Sequence, residues 1–416
     1  MYARITQRIV FRPARTRAVL DWGRTVAQNR KSIEKALLVG AALGAVYVAT
    51  RPKTERREGT SKLVDWPRVE ETAIGMVRGM AGGEIANRQE ANRRYRAMVA
   101  ESTTVIARYT SMHLDQPLSS VYVFDRQDWI RANLEGFRRL FGRIEEIQSQ
   151  VRSNTSLASI LLGEANRAVL SVQLGVLVGY LARRVLGQYD LALLGKEAVT
   201  TGSLYFVEPN IARIEQQLGL PAEDLRMWIA LHETTHAYEF EGNPWLREHF
   251  NSLLEGYFEG LNAQIRGFRA LGAIGKLRER LRRDEQREGW VELLMSSEQR
   301  QLFRQIQGIM SLLEGYSNHI MNTVGKEILP NFEQIKERFE QRHRRSSRAD
   351  RLFARLTGLD LKLEQYRLGE LFVNEVVARR DIDFMNRVWT GPRALPSMEE
   401  IREPERWVRR MEDQND

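Results

Sequence analysis

His232 and His236 stand four residues apart with Glu233 between them, in the run His232-Glu233-Thr234-Thr235-His236, and this spacing constrains the chain more than any other feature. Positions i and i+4 share one face of an α-helix, so both imidazoles reach a single ion only if the run is helical. Glu233 then falls about a quarter-turn away, beside a water on that ion. Zinc suits such a pair: it lowers the pKa of a bound water to about 7, and a nearby carboxylate takes the proton as the water attacks a polarised carbonyl. The flanking residues agree. Leu225, Trp228, Ile229 and Leu231 precede the pair at helical spacing, and Pro221 with Asp224 supplies a start signal, so a helix is expected from about Asp224 to Gly242.

Composition limits the chemistry further. The chain has 416 residues, 43% hydrophobic and 28% charged, which is enough for one large or two modest globular domains. It has no cysteine, so thiolate ligands and disulfides are excluded, and any zinc must be held by His, Asp or Glu. The formal charge of +9 is unevenly spread: residues 1–62 carry fourteen Lys or Arg against four acidic residues, a net of +10, which leaves residues 63–416 near −1. No basic surface for nucleic acid is expected on the main body.

The expected organisation is therefore a basic N-terminal arm, residues 1–62, and a catalytic body, residues 63–416. Within the arm, residues 36–50 are an uncharged run between Lys35 and Arg51. A helix of that length spans roughly 22 Å, less than the roughly 30 Å of a bilayer core. A short or tilted span, an interfacial anchor and a docked helix all fit, with a cytoplasmic or membrane-associated location; Gly40 and Gly44 suit close helix contact in each. The body reads as α+β and mainly helical. Amphipathic helices are expected around Ile74–Met80 and Trp129–Phe141, a more apolar core segment over Leu157–Leu194, and a strand at Ser203–Glu208 leading into a short helix to Leu218. That strand is either an internal one or the edge of a small sheet lining a cleft.

A catalytic zinc needs a third protein ligand and an open position. Glu239 and Gly242 stand where a third histidine arranged as H-E-x-x-H-x-x-G-x-x-H would require glycine and histidine. A later glutamate is the remaining choice. The hexapeptide Ser-Leu-Leu-Glu-Gly-Tyr occurs twice, at 252–257 and 311–316, and offers Glu255 or Glu314. Glu314 lies along the margin of an apolar stripe through Ile306, Ile309, Met310, Leu313, Ile320 and Val324, where a carboxylate needs a partner such as a metal. Asn318, one turn on, is a candidate to hold the far nitrogen of a ligating histidine. His319 and Tyr316 are candidates for substrate-side or proton-donating catalytic groups. Glu239 either orients a ligand or faces solvent.

At PNI (209–211), HETTHAYEFEGNPWL (232–246), LEGYSNHIMNTVG (313–325), GLDLKLEQYRLGE (358–370) and FMNRVWTGPRALPSMEEI (384–401) the chain resembles bacterial zincin-like hydrolases, often described as zinc-dependent metalloproteases. Some of these are associated with deazaflavin-cofactor biosynthesis. The resemblance runs from about Asp65 to near the C-terminus. It implies a zincin-like fold in which the helix bearing the pair lies beside a small sheet, one zinc per chain, a peptide or amide substrate, and Glu314 as third ligand. Two positions depart from that pattern: Tyr316 stands where histidine is usual, and Asn318 where an acidic residue is usual. The alternative function is a zinc-stabilised binding or scaffold protein, which a fourth protein ligand closing the metal shell would favour.

Overall fold

A computed structural model describes residues 64–80, 85–118, 120–149, 164–189, 203–267, 295–344 and 359–414. The arm, with its apolar run at 36–50, lies outside these. Among the described residues, no helix is long and apolar enough to cross a membrane. Two compact units are distinguished. The first, Met1–Asp65 with Asn154–Val172, is described at its edges, where the Asp65 backbone N–H donates to Ser171 Oγ at 2.8 Å. The second, Trp66–Ser153 with Gln173–Asp416, contains every site residue named above.

In chain order the elements are α1 (Trp66–Val77), α2 (Arg88–Thr110), β1 (Val121–Phe124), α3 (Arg126–Ser149), α4 (Glu164–Ala182), β2 (Gly187–Tyr189), β3 (Leu204–Val207), α5 (Glu208–Leu218), α6 (Ala222–Glu241) and α7 (Pro244–Gly267). They continue with α8 (Ser297–Ile328), α9 (Phe332–Arg344), α10 (Leu359–Arg379), α11 (Ile382–Met385), α12 (Met398–Arg402) and α13 (Pro404–Asp413). The fold is thus mainly helical with one small mixed sheet, as expected. The sheet order is β1-β3-β2, with β1 parallel and β2 antiparallel to β3.

β3 is the strand legible in the sequence, and it is central. All four of its residues are buried, with Leu204 facing Val121 on one side and Tyr189 on the other. The edge reading is therefore corrected. Four consecutive apolar side chains need cover on both faces, and they have it only in the middle of the sheet. Of the core segment expected over Leu157–Leu194, the ends lie outside the described residues, and the described part, 164–189, departs from the expectation. In α4, Leu174 and Val178 are buried but Val176 is 41% exposed, and none of the three joins the main apolar core. The helix instead rests on α1 through glycines: a Cβ on Gly175 would lie 2.6 Å from Thr72 Cβ, and one on Gly179 2.8 Å from Met76 Sδ.

The main core gathers around α6. Leu225, Ala230, Leu231, Ala237 and Tyr238 pack with Phe206, Ile211, Leu312, Tyr316, Ile320 and Phe372, all nearly or fully buried. Arg226 locks the start of α6 to α5: it pairs with Glu208 and reaches Glu215 at 2.8 Å, and Glu208 also accepts from Tyr95 Oη at 2.7 Å. The Arg226 side chain is 6% exposed, so losing either carboxylate would leave a buried charge short of its partner, at a cost of about 3–5 kcal/mol.

Candidate metal centre

α6 carries the paired histidines through the main apolar core. Pro221 precedes its first turn, where Glu223 and Asp224 face the positive end of the helix dipole. Thr234 and Thr235, the two residues enclosed by the motif, are fully buried. Their hydroxyls donate back to the carbonyls of Ala230 at 2.6 Å and Leu231 at 2.9 Å, so the motif leaves neither unmet.

His232 Nε2 and His236 Nε2 lie 3.3 Å apart, and Glu314 Oε2 lies 4.0 Å from His232 Nε2. One ligand atom from each of these three residues falls within 4.8 Å of the others. Ligands about 2.0–2.2 Å from a tetrahedral ion stand about 3.3–3.6 Å apart, so the donor set fits zinc with little adjustment. Among the described residues no fourth His, Asp or Glu joins the group. Glu255, the other candidate third ligand, lies on α7 and is not part of it.

The far nitrogens of both rings are held. His232 Nδ1 is 2.9 Å from Ser317 Oγ, and His236 Nδ1 is 2.7 Å from Glu239 Oε2, whose side chain is fully buried. Both rings are thereby turned so that Nε2 points at its counterpart. The contact expected of Asn318 is made by Ser317. The two flank Glu314 on α8, about 60° to one side and about 40° to the other, and the His232 ring approaches on the serine side. Glu239 takes the first of its two expected roles and orients a ring.

Charge in the site follows from burial. Burial and the neighbouring His236 hold His232 down at about 3. Burial alone would also lower His236, but the charge and hydrogen bond of Glu239, with Glu314 and Glu233, lift it to about 9. Burial pushes the Glu233 carboxyl up to about 7, opposed by His236 and by the Tyr189 backbone N–H, and aided by Glu314. The buried carboxylates of Glu233 and Glu239, with that of Glu314 acting on both, favour a cation among them.

Glu233 faces β2. The Tyr189 backbone N–H donates to its carboxylate, and a Cβ on Gly187 would come within 2.6 Å of both its Cγ and Oε1. The strand thus meets this carboxylate with backbone alone. Sequence reading missed β2, because a three-residue strand inside a long apolar stretch has no periodicity of its own. Gly187 was the one signal available, since glycine in a strand marks close approach.

Two expected site residues are committed elsewhere. Tyr316 is fully buried, its hydroxyl donates to Asn386 Oδ1 at 2.7 Å, and burial raises its pKa far above the usual phenol value. His319 has both ring nitrogens engaged, Nε2 with Tyr109 Oη at 2.8 Å and Nδ1 with Asn374 Oδ1 at 2.6 Å. The geometry brings together His232, Glu233, His236 and Glu314, and leaves Tyr316 and His319 as ties between α8 and its neighbours. A cavity of about 550 Å³ lies elsewhere, lined by His249, Arg304, Ile309, Pro396 and Arg410 among others, and includes none of the metal group.

A histidine pair on a buried helix, completed by a glutamate from a later helix and bordered by a small sheet, defines a zincin-like class of protein. The chain belongs to the zincin-like metallopeptidase family, whose sequence profile matches residues 64–408. It is also similar, at 43% identity and a TM-score of 0.64, to a solved structure from Chloroflexus aurantiacus described as a candidate hydrolase with a novel fold. The match covers 84% of this chain and 99% of that one. No curated protein matches the chain. The family supports a metallohydrolase and implies zinc.

Proposed function

We propose that the protein is a zinc-dependent hydrolase of peptide or amide bonds that holds one zinc per chain. His232, His236 and Glu314 are the ligands, Glu233 is the general base, and Ser317 and Glu239 orient the two rings. The carrying observation is the close approach of three donors from two helices, with no fourth donor among the described residues. When bound there, zinc supplies a Lewis acid that acidifies a water and polarises the scissile carbonyl. Glu233 takes the proton of the attacking water, and its return to the leaving amine needs no second carboxylate. The Tyr189 N–H fixes the carboxylate while Gly187 leaves room for it.

The lack of a fourth protein donor among the described residues favours this reading over a scaffold held by structural zinc, which closes its shell with protein ligands. Metal analysis and substrate profiling with peptide and amide libraries test it together. The wild type is expected to hold about one zinc per chain and to turn over at least one substrate. Glu233→Gln is expected to keep the zinc and lose at least about a hundredfold in rate. Full turnover in that variant would remove Glu233 from the chemistry.

A further inference from the structure

Outside the metal group, four arginines, Arg126, Arg183, Arg184 and Arg213, lie near one another where α4 ends and α5 begins. Asn210, fully buried in α5, donates from Nδ2 to the carbonyls of Ala182 at 2.8 Å and Val185 at 2.7 Å, which pins the turn carrying Arg183 and Arg184. Its Oδ1 accepts from Arg126 Nε at 2.8 Å, and Arg126, 2% exposed, also donates to Pro209 O at 2.9 Å. Arg213, one turn along α5, donates to the Arg183 carbonyl, and the Arg184 guanidinium lies 3.5 Å from the Tyr180 ring centroid. One buried amide therefore fixes both the turn and an arginine beneath it.

Two of these charges, on Arg183 and Arg213, are poorly compensated among the described residues. Asp125 acts on Arg126, but neither Arg183 nor Arg213 has a carboxylate partner among the described residues. The Nε of each is shut off from solvent without an acceptor. Arg126 and Arg213 are both held below the usual arginine range, first by burial and then by the neighbouring arginines. Buried donors and crowded like charges are costly unless something answers them. A single carboxylate brings one charge, whereas a phosphate brings up to two and several acceptor oxygens that match the guanidinium fork. We propose that Arg183 and Arg213, with Arg126 and Arg184 around them, form a binding site for the phosphate group of a ligand. The site uses none of the metal-centre residues, so it stands whether or not the zinc reading holds.

The test is calorimetric titration of the full chain with inorganic phosphate at constant ionic strength, and co-sedimentation with phosphatidylcholine vesicles with and without phosphatidic acid. Saturable binding is expected in at least one arm, weakened about tenfold or more by Arg183→Gln and by Arg213→Gln. Arg304→Gln, an exposed arginine outside the cluster, should leave it unchanged. Phosphate-free Arg183→Gln should melt no lower than the wild type, because it relieves crowding, and this shows that the variant is folded. Binding to free phosphate alone assigns a soluble phosphorylated ligand; cluster-dependent binding to phosphatidic acid vesicles alone assigns a lipid headgroup. No saturable binding up to about 50 mM phosphate together with no cluster-dependent sedimentation overturns the proposal. So does binding that survives in both cluster variants, as it would at the metal centre, or that falls equally in Arg304→Gln.

Discussion

The hexapeptide Ser-Leu-Leu-Glu-Gly-Tyr is helical at both of its occurrences, yet only one copy reaches the proposed metal centre. In α8, Ser311, Leu312, Gly315 and Tyr316 are buried, and Glu314 points at the histidines. In α7, Ser252 is exposed and Glu255, Gly256 and Tyr257 are half-buried. The difference lies in what each glycine meets. A Cβ on Gly315 would sit 2.2 Å from the Gly369 carbonyl carbon of α10, and one on Gly369 1.8 Å from Ser311 O, whereas one on Gly256 would meet only the Leu302 side chain at 3.3 Å. Identical local sequence gives identical helix, but only the copy seated backbone to backbone on α10 sets its glutamate beside the histidines.

The comparison breaks most sharply at the glutamates. Glu314→Ala is expected to leave less than about 0.2 zinc per chain by elemental analysis, while Glu255→Ala stays near one; the reverse would move the site to α7. At the glycines, Gly315→Ala or Gly369→Ala is expected to cost more than about 3 kcal/mol in urea unfolding, because backbone must shift to admit the methyl. Gly256→Ala should fall within about 1 kcal/mol of the wild type, since a flexible leucine end gives way and alanine favours helix. At the tyrosines, Tyr316→Phe strands the Asn386 Oδ1 acceptor and should cost about 1–3 kcal/mol by thermal unfolding while zinc content holds, with a smaller loss for Tyr257→Phe. Unchanged stability in Tyr316→Phe would free that hydroxyl for another role. Just past the second hexapeptide, Ser317→Ala should weaken zinc about tenfold in a chelator competition, and Asn318→Ala should not.

Where local pattern governs, the sequence was legible. Helix α6, its histidine pair and the strand feeding α5 follow from spacing, start signals and β-forming residues, all within the 38 positions from Leu204 to Glu241. Glu314 was legible only as one of two, since the register between α8 and α10 that separates it from Glu255 depends on a glycine-to-glycine contact far apart in the chain. Long-range partners also explain the misses. Tyr316 looks catalytic until Asn386 is seen to take its hydrogen, and His319 until Tyr109 and Asn374 occupy both nitrogens. Ser317 and Asn318 flank Glu314 almost evenly, and only the approach of the His232 ring chooses between them.

The contact between Gly315 and Gly369 also sets an order of events as the chain is made. Synthesis delivers His232, Glu233, His236 and finally Glu314, and the surface that seats Glu314's helix arrives about fifty-five residues later. Until then a nascent chain holds every proposed ligand and no finished site. A fragment ending before Leu359 would remain at that stage, complete in its motif and unable to grip its metal.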